Sequence, residues 1–213
     1  MTNKLEPKIQ YGCGWTAPKE WINFDASPTL RFERIPILGS FYTKNIDRFP
    51  ANVKYGDITK GLPISDHSAS AVYCSHVLEH LSLEDLRKAL KNTKKILKPG
   101  GIFRLVMPDI ETLAKGYLER TDCNAAIDFM RDSYLGVEFR PRGAVGLLKA
   151  WLGNSGHLWM WDYKSMQQEL ANAGFSGIRR AYFGDDESGI FDPVETEERW
   201  KMCLGIRCEA HLT

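Results

Sequence analysis

Two neighbouring segments decide the fold of this chain: KIQYGCG at residues 8–14 and WINFD at residues 21–25. They predict two short strands joined by a glycine turn, with an acid, Asp25, ending the second strand. Asp25 follows Gly12 by 13 residues, whereas dinucleotide folds place this acid about 20 residues on. This spacing leaves no room for the crossover helix whose N-terminus normally receives phosphates. The pattern therefore favours a nucleoside ligand that carries no phosphate.

Composition narrows the class of protein. The chain has 213 residues, 43% of them hydrophobic and 26% charged, which suits one domain with a sizeable core. The formal net charge of +1 gives no broad attraction to nucleic acid or to anionic membranes. No long apolar window predicts a membrane span or a signal peptide. The five cysteines are scattered, which is typical of reduced thiols, so we expect a cytoplasmic protein.

Strand-like and helix-like patterns alternate through the first half of the chain. A third strand is predicted before Gly56-Asp57-Ile58, and an apolar run at residues 69–74 predicts a buried fourth strand. A helix opens at Ser82 and is stopped by the PGG sequence at residues 99–101. A fifth strand is predicted at residues 102–107. This order indicates an α/β protein with a parallel sheet.

The second half begins with a segment of different character. Residues 110–156 are predicted to form a helical insertion or cap within a single domain that spans residues 1–213. A helix at residues 166–173, a strand at 178–183 and an acidic loop at 184–198 follow. The last strand is predicted at residues 202–210.

The ordered motifs together resemble a known family. They are the glycine turn at residues 12–14, Asp25, the GDI sequence at residues 56–58, VYCSHVLEHL at residues 72–81 and LKPGG at residues 97–101. The series resembles the class I S-adenosylmethionine-dependent methyltransferases, in particular the branch of the ubiquinone-biosynthesis-type enzymes. The likeness covers residues 8–109 and, more weakly, 157–183. It implies a Rossmann-like sheet, mostly parallel with an antiparallel last strand, and S-adenosylmethionine as cofactor.

The resemblance also implies which residues bind this cofactor. The glycines pass under the methionine part, Asp25 accepts both ribose hydroxyls, and Asp57 accepts the adenine amino group with Ile58 against the ring. At the position of Gln10 the family usually carries an acid that meets the cofactor's ammonium group, and glutamine lacks that charge. No metal ion is implied. The full set of cofactor-binding candidates is Gln10, Gly12, Cys13, Gly14, Asp25, Asp57, Ile58, Ser75 and His76.

The acceptor is expected to be a small molecule or a sugar, methylated at a hydroxyl or amine by in-line transfer. Sequence CSH at residues 74–76 replaces the Asn/Asp-Pro-Pro-Tyr/Phe motif of many nucleobase methyltransferases, so no nucleic-acid substrate is expected. Basic and aromatic residues at 31–48 and 131–149, including Arg140 and Arg142, predict a lid over an anionic substrate. The candidates for a catalytic base are His80, His76, Asp109 and His157.

Two alternative functions remain open at this stage. His76-x-x-Glu79-His80 matches the inverted zinc-protease motif, which on a helix would place both histidines on one face. Glu111 and Glu119 are possible third zinc ligands downstream. The second alternative is a non-catalytic S-adenosylmethionine-binding protein, which the glutamine at position 10 would permit. The oligomeric state is not predicted.

Overall fold

The computed structural model describes residues 6–37, 39, 48–139, 142–143 and 156–211. Within them the chain forms a seven-stranded sheet in the order β3-β2-β1-β4-β5-β7-β6. β1 to β5 pair in parallel, and β7 lies antiparallel between β5 and β6, as predicted. The strands are β1 (Lys8–Tyr11), β2 (Ile22–Asp25), β3 (Val53–Tyr55), β4 (Ala69–Ser75), β5 (Leu97–Pro108), β6 (Phe175–Ala181) and β7 (Cys203–Ala210).

Helices flank this sheet. They are α1 (Pro28–Glu33), α2 (Leu83–Ile96), α3 (Ile110–Leu118), α4 (Ala125–Asp132) and α5 (Tyr163–Asn172), with 3-10 helices at Leu78–His80 and Glu197–Trp200. Ser82 caps α2 as predicted, because its hydroxyl accepts the N–H of Asp85. α5 begins earlier than predicted, because Asp162 and Ser165 form a capping box at its start. No helix among these residues has the length and apolarity that a membrane crossing requires.

Both faces of the sheet are covered. Ile9 and Tyr11 of β1 face a core completed by α2 and α5, whereas Tyr73 of β4 faces a second cluster on the opposite side. Phe191 and Val194 of the acidic loop are buried in that second cluster. The loop between β6 and β7 is therefore part of the core, which its acidic composition did not predict.

The strand boundaries differ from the predictions in two places. Leu97 pairs with Ala69, and Ile102 pairs with Ala71, so the four residues between them form a bulge instead of a turn outside the strand. Gly100 takes the left-handed conformation that this bulge requires, with φ of +72°. β6 starts at Phe175, directly after the helix-ending Gly174, and not at residue 178. In both cases pairing with a neighbouring strand extends the strand beyond its apolar run.

α3 and α4 lie within residues 110–156, where the helical insertion was predicted. Tyr117 of α3 contacts Phe129 of α4, with ring centroids 5.6 Å apart. Arg140 and the residues from 144 to 155 lie outside the described part of the chain, so the cap as a whole stays a prediction.

Candidate functional site

A cavity of about 520 Å³ lies where the carboxyl ends of the parallel strands meet. β1 stands between β2 and β4, so the strand order reverses here, which is where α/β sheets usually bind ligands. The volume falls within the range of small-molecule sites. Most of the lining residues follow the ends of four strands, Phe49 precedes β3, and Arg199 comes from the 3-10 helix before β7. The full set is Tyr11, Gly12, Gly14, Trp15, Asp25, Ala26, Ser27, Pro28, Thr29, Phe49, Gly56, Asp57, Ile58, His76, Val77, His80, Leu81 and Arg199.

The glycine turn after β1 forms the floor of this cavity. Gly12 and Gly14 both have positive φ, of +64° and +53°, which non-glycine residues rarely adopt. A Cβ on Gly12 would lie 2.1 Å from Cγ2 of Val77, so the turn packs directly against the segment after β4. A Cβ on Gly14 would meet no atom within 4 Å. Gly14 therefore presents bare backbone to the space that a ligand would fill.

Asp25 joins the glycine turn to the end of β2. Its Oδ2 accepts the N–H of Gly14 at 2.9 Å, and its Oδ1 accepts the N–H of Ser27 at 2.8 Å. A carboxylate oxygen can accept more than one hydrogen bond, so both oxygens keep capacity for a ligand. The side chain is mostly buried and still lines the cavity. Asp25 therefore presents an acceptor group at the wall of the cavity.

Asp57 lies in the turn after β3. Its Oδ1 accepts hydrogen bonds from the N–H and hydroxyl of Thr59, and its Oδ2 lies 3.1 Å from Nζ of Lys60. Burial alone would raise the pKa of Asp57, but the bonds from Thr59 and Lys60 outweigh it and lower the pKa. Asp57 is therefore an ionised acceptor on the cavity wall, next to the buried side chain of Ile58.

His76 is the first residue after β4 and has a left-handed backbone, with φ of +55°. Its Nε2 lies 3.0 Å from the carbonyl oxygen of Arg199, and its Nδ1 lies 3.3 Å from Oε1 of Glu79. Burial disfavours the charged ring, but contacts with Cys203, Glu79 and the Arg199 carbonyl outweigh it and raise the pKa of His76 to about 10. The structure thus places a cationic ring beside the glycine turn.

Three predicted cofactor residues have side chains behind the cavity wall and do not line it. Gln10 is buried on the opposite face of β1, and its Oε1 has no hydrogen-bond partner in the described part of the chain. Cys13 packs with Leu30 and Phe49, and burial together with the charge of Asp25 raises the pKa of its thiol to about 12. Ser75 is buried at the end of β4.

The four candidates for a catalytic base are placed differently. His76 and His80 line the cavity, whereas Asp109 and His157 do not. Asp109 caps α3, where it accepts the N–H of Glu111 and the hydroxyl of Thr112. His157 packs edge-on against His80 with ring centroids 5.0 Å apart. His80 is therefore the candidate base that reaches the cavity without the close ion pair that holds the ring of His76.

The segment His76-x-x-Glu79-His80 is not an α-helix. The left-handed turn at His76 is followed by a single 3-10 turn at Leu78–His80. The two histidines turn to different carbonyls, those of Arg199 and Gly156. The spacing therefore does not place them side by side on one helical face, as the zinc-protease motif requires.

Trp15, Phe49 and Arg199 are among the lining residues that sequence reasoning did not name. Trp15 and Phe49 stack with ring centroids 5.3 Å apart and form an aromatic wall. Arg199 reaches the cavity from the 3-10 helix before β7, where it is partly exposed. The tryptophan next to Gly14 was a local signal for the first of these. Arg199 lies more than a hundred residues from the glycine turn, and nothing in its local sequence pointed to the site.

Three of the basic residues predicted to form a lid have partners outside the cavity. Arg34 donates to the carbonyl of Pro50, Arg31 lies over the ring of Tyr55, and Arg131 pairs with Glu138. The predicted lid residues Arg140, Phe41 and Tyr42 lie outside the described residues. The lid stays a prediction.

Comparisons with known proteins agree with this geometry. Residues 11–105 match a family model described as a methyltransferase domain. No functionally curated protein matches the sequence. Among solved structures, a methyltransferase from Thermotoga maritima, described as a possible histamine N-methyltransferase, is 14% identical with a TM-score of 0.51, and the match covers 96% of this chain and 82% of that one.

Two further structures have the same fold. An S-adenosylmethionine-dependent methyltransferase from Archaeoglobus fulgidus is 15% identical with a TM-score of 0.51, over 96% of this chain and 86% of that one. The YcgJ protein from Bacillus subtilis is 14% identical with a TM-score of 0.50, over 98% and 93%. With the strand order, they show that this chain has the fold of S-adenosylmethionine-dependent methyltransferases, and residues 11–105 match the methyltransferase domain of the family model.

Proposed function

We propose that this chain transfers a methyl group from S-adenosylmethionine, bound in the 520 Å³ cavity, to a hydroxyl or amine of a small-molecule acceptor. The observation that carries the proposal is the pair of carboxylates, Asp25 and Asp57, that share this cavity with the glycine turn. A nucleoside offers two ribose hydroxyls and one amino group as donors. The two acids are acceptors at the ends of adjacent strands, β2 and β3.

The same cavity suggests an orientation for the cofactor. The adenine lies toward Asp57 and Ile58, the ribose at Asp25, and the methionine part over Gly14. The methionine carboxylate then points toward Arg199 and the cationic ring of His76, which both line that end. Two positive groups suit a carboxylate better than an ammonium group. In this proposal the main charged contact of the cofactor is therefore between Arg199 and the methionine carboxylate. In the family it is usually between the ammonium group and an acid at the position of Gln10.

Catalysis in this proposal depends mainly on positioning. The sulfonium is already an activated methyl donor, and in-line orientation of an acceptor can supply roughly 7–11 kcal/mol of the barrier. His80 lines the cavity and is the base that we propose for a hydroxyl acceptor. The neutral overall charge and the modest cavity favour a small acceptor over a nucleic acid.

Calorimetric titration with S-adenosylhomocysteine tests the binding site. Asp25→Asn removes the charge from the ribose acceptor, and hydrogen bonds to charged groups contribute about 1.5–3 kcal/mol, so we expect roughly a 10- to 150-fold loss of affinity. Asp66→Asn is the matched control, since Asp66 is an exposed partner of Lys95 outside the cavity. Equal affinities of the two variants would refute the site, and a wild type that binds nothing would refute the function.

Arg199→Gln separates the proposed orientation from binding itself. We expect this variant to lose affinity for S-adenosylhomocysteine but to bind 5′-methylthioadenosine, which lacks the amino-acid end, as the wild type does. A parallel loss for both ligands would place Arg199 at another part of the cofactor.

The non-catalytic alternative is still supported by Gln10, whose buried amide oxygen has no partner among the described residues. Tight binding without turnover on any hydroxyl or amine acceptor would favour it.

A further inference from the structure

Glu79 is a buried carboxylate next to the cofactor cavity. Its side chain is 1% exposed, and neither carboxylate oxygen has a hydrogen-bond partner within the described ranges. Two imidazole rings approach Oε1: Nδ1 of His76 at 3.3 Å and Nε2 of His157 at 4.0 Å. Isolating a carboxylate from water is unfavourable by several kcal/mol unless strong partners compensate for it. The ring of His76 is one such partner, but neither oxygen accepts a hydrogen bond among the described residues, so the carboxylate keeps the capacity to bind a second positive group.

Two neighbouring histidines have nitrogen lone pairs available to such a group. Nδ1 of His80 lies 3.1 Å from the carbonyl of Gly156, and Nδ1 of His157 lies 2.8 Å from the carbonyl of Ser133. A carbonyl only accepts, so Nδ1 carries the proton in both rings and Nε2 keeps its lone pair. In the neutral form of each ring, Nε2 is therefore the atom that can bind a metal ion. Metal-binding histidines are commonly oriented in this way.

We propose that Glu79, His80 and His157 bind one divalent transition-metal ion of the zinc class. One ligand atom from each residue lies within 4.8 Å of the others. Nitrogen and oxygen ligands lie about 2.0–2.2 Å from zinc, which places neighbouring ligands roughly 3.4 Å apart in a tetrahedron. Small side-chain rotations would bring ligand atoms that lie within 4.8 Å of one another to this tetrahedral spacing. Backbone bonds already connect the two halves of the site, since the N–H groups of Leu158 and Trp159 donate to the Glu79 carbonyl.

Three protein ligands leave one coordination position open, as in catalytic zinc sites. His80 belongs to both the ligand set and the cavity wall, so this position faces the proposed acceptor space. A catalytic role for the metal rests on the proposed methyl transfer, and the metal would then replace His80 as the group that activates the hydroxyl, because the Nε2 lone pair of His80 would bind the metal. An acceptor hydroxyl bound to the metal releases its proton to water, and its oxygen attacks the methyl carbon. The carbon–sulfur bond breaks, and neutral S-adenosylhomocysteine leaves. The site thus selects acceptors with a metal-binding hydroxyl, and it departs from the metal-free site that the resemblance implied.

Metal titration of chelator-treated protein tests this assignment without any turnover assay. We expect the wild type to bind one Zn²⁺ per chain by calorimetry and to develop the visible absorption of low-symmetry Co²⁺. Glu79→Gln keeps the shape of the side chain, and His157→Asn removes one imidazole. Losing a direct ligand should weaken binding by more than the roughly 10- to 100-fold seen when only a supporting hydrogen bond is lost.

His67→Asn is the control, because the ring of His67 also contacts a backbone carbonyl, that of Leu97, but lies outside the cluster. It should bind Zn²⁺ like the wild type. Zinc should also raise the melting temperature of the wild type and of this control only. Absence of zinc binding, or equal binding by the Glu79 variant, overturns the proposal. Separate titration with S-adenosylhomocysteine shows whether the protein still binds the cofactor product when it binds no metal. The metal site and the proposed function can therefore fail independently.

Discussion

Replacing Gly14 by alanine separates the backbone requirement of the glycine turn from its contact with a ligand. Gly14 has a φ of +53°, and a Cβ there would meet no protein atom within 4 Å. Gly100 is a matched site: its φ is +72°, its Cβ would be equally free, and it lies in the bulge of β5 away from the cavity. The two substitutions impose the same kind of backbone strain, but only one adds a methyl group to the proposed cofactor space.

The expected magnitudes follow from this difference. A left-handed conformation is unfavourable by roughly 1–2 kcal/mol for a residue with a Cβ, so both variants should be destabilised by about that amount. For a chain of this size this lowers the melting temperature by about 2–8 °C. An added methyl in a filled site is unfavourable by about 1–3 kcal/mol, which predicts a roughly 5- to 150-fold loss of cofactor affinity for Gly14→Ala alone.

Thermal unfolding and calorimetric titration with S-adenosylhomocysteine measure the two effects separately. The expected result is similar melting temperatures for both variants and a weakened cofactor complex only for Gly14→Ala. If Gly14→Ala binds the cofactor as tightly as Gly100→Ala does, the ligand does not pass over the glycine turn. The placement of the methionine part over Gly14 would then be wrong.

Two further predictions concern buried charge. Arg104 is fully buried and binds Glu195 through Nε at 2.5 Å, so Arg104→Met should lower the free energy of unfolding in urea by about 3–5 kcal/mol. Most of this loss should return in the double variant with Glu195→Leu, and a purely additive double variant would contradict the pairing. The pKa of His76 is raised to about 10, so its stabilising contribution is complete below about pH 6.5 and is lost as the pH rises from there to about 10. The advantage of wild type over His76→Asn in urea should therefore shrink from about pH 6 to about pH 9, and a constant difference would show that the ring is not charged in the folded state.

The sequence predicted local features of the fold well. The positions of β1 and β2 and the cap at Ser82 are confirmed, because these features depend on residues close in the chain. The antiparallel last strand, which the resemblance implied, is also confirmed. Strand ends were less accurate at Gly100 and Phe175, where pairing with another strand decides the boundary. Only the partner strand, and not the local pattern, contains that information.

The sequence predicted those residues of the candidate site that lie at the ends of parallel strands. Asp25, Asp57 and the glycine turn meet at one edge because parallel strands share their carboxyl ends. Arg199 and His157 could not be placed, since each reaches the site through a long-range contact with the segment after β4. The H-x-x-E-H spacing would place His76 and His80 on one face of an α-helix. The left-handed turn at His76 prevents this, and the two rings contact different carbonyls.

His80 lies in the wall of the cavity and also among the three proposed metal ligands. A residue shared by two binding sites makes their occupancies interdependent, and this interdependence must be mutual: whatever factor the cofactor adds to metal affinity, the metal adds to cofactor affinity. Cooperativity of this kind is typically 1–3 kcal/mol, or roughly 5- to 150-fold. The short segment after β4 would therefore couple the two occupancies equally, whichever ligand binds first.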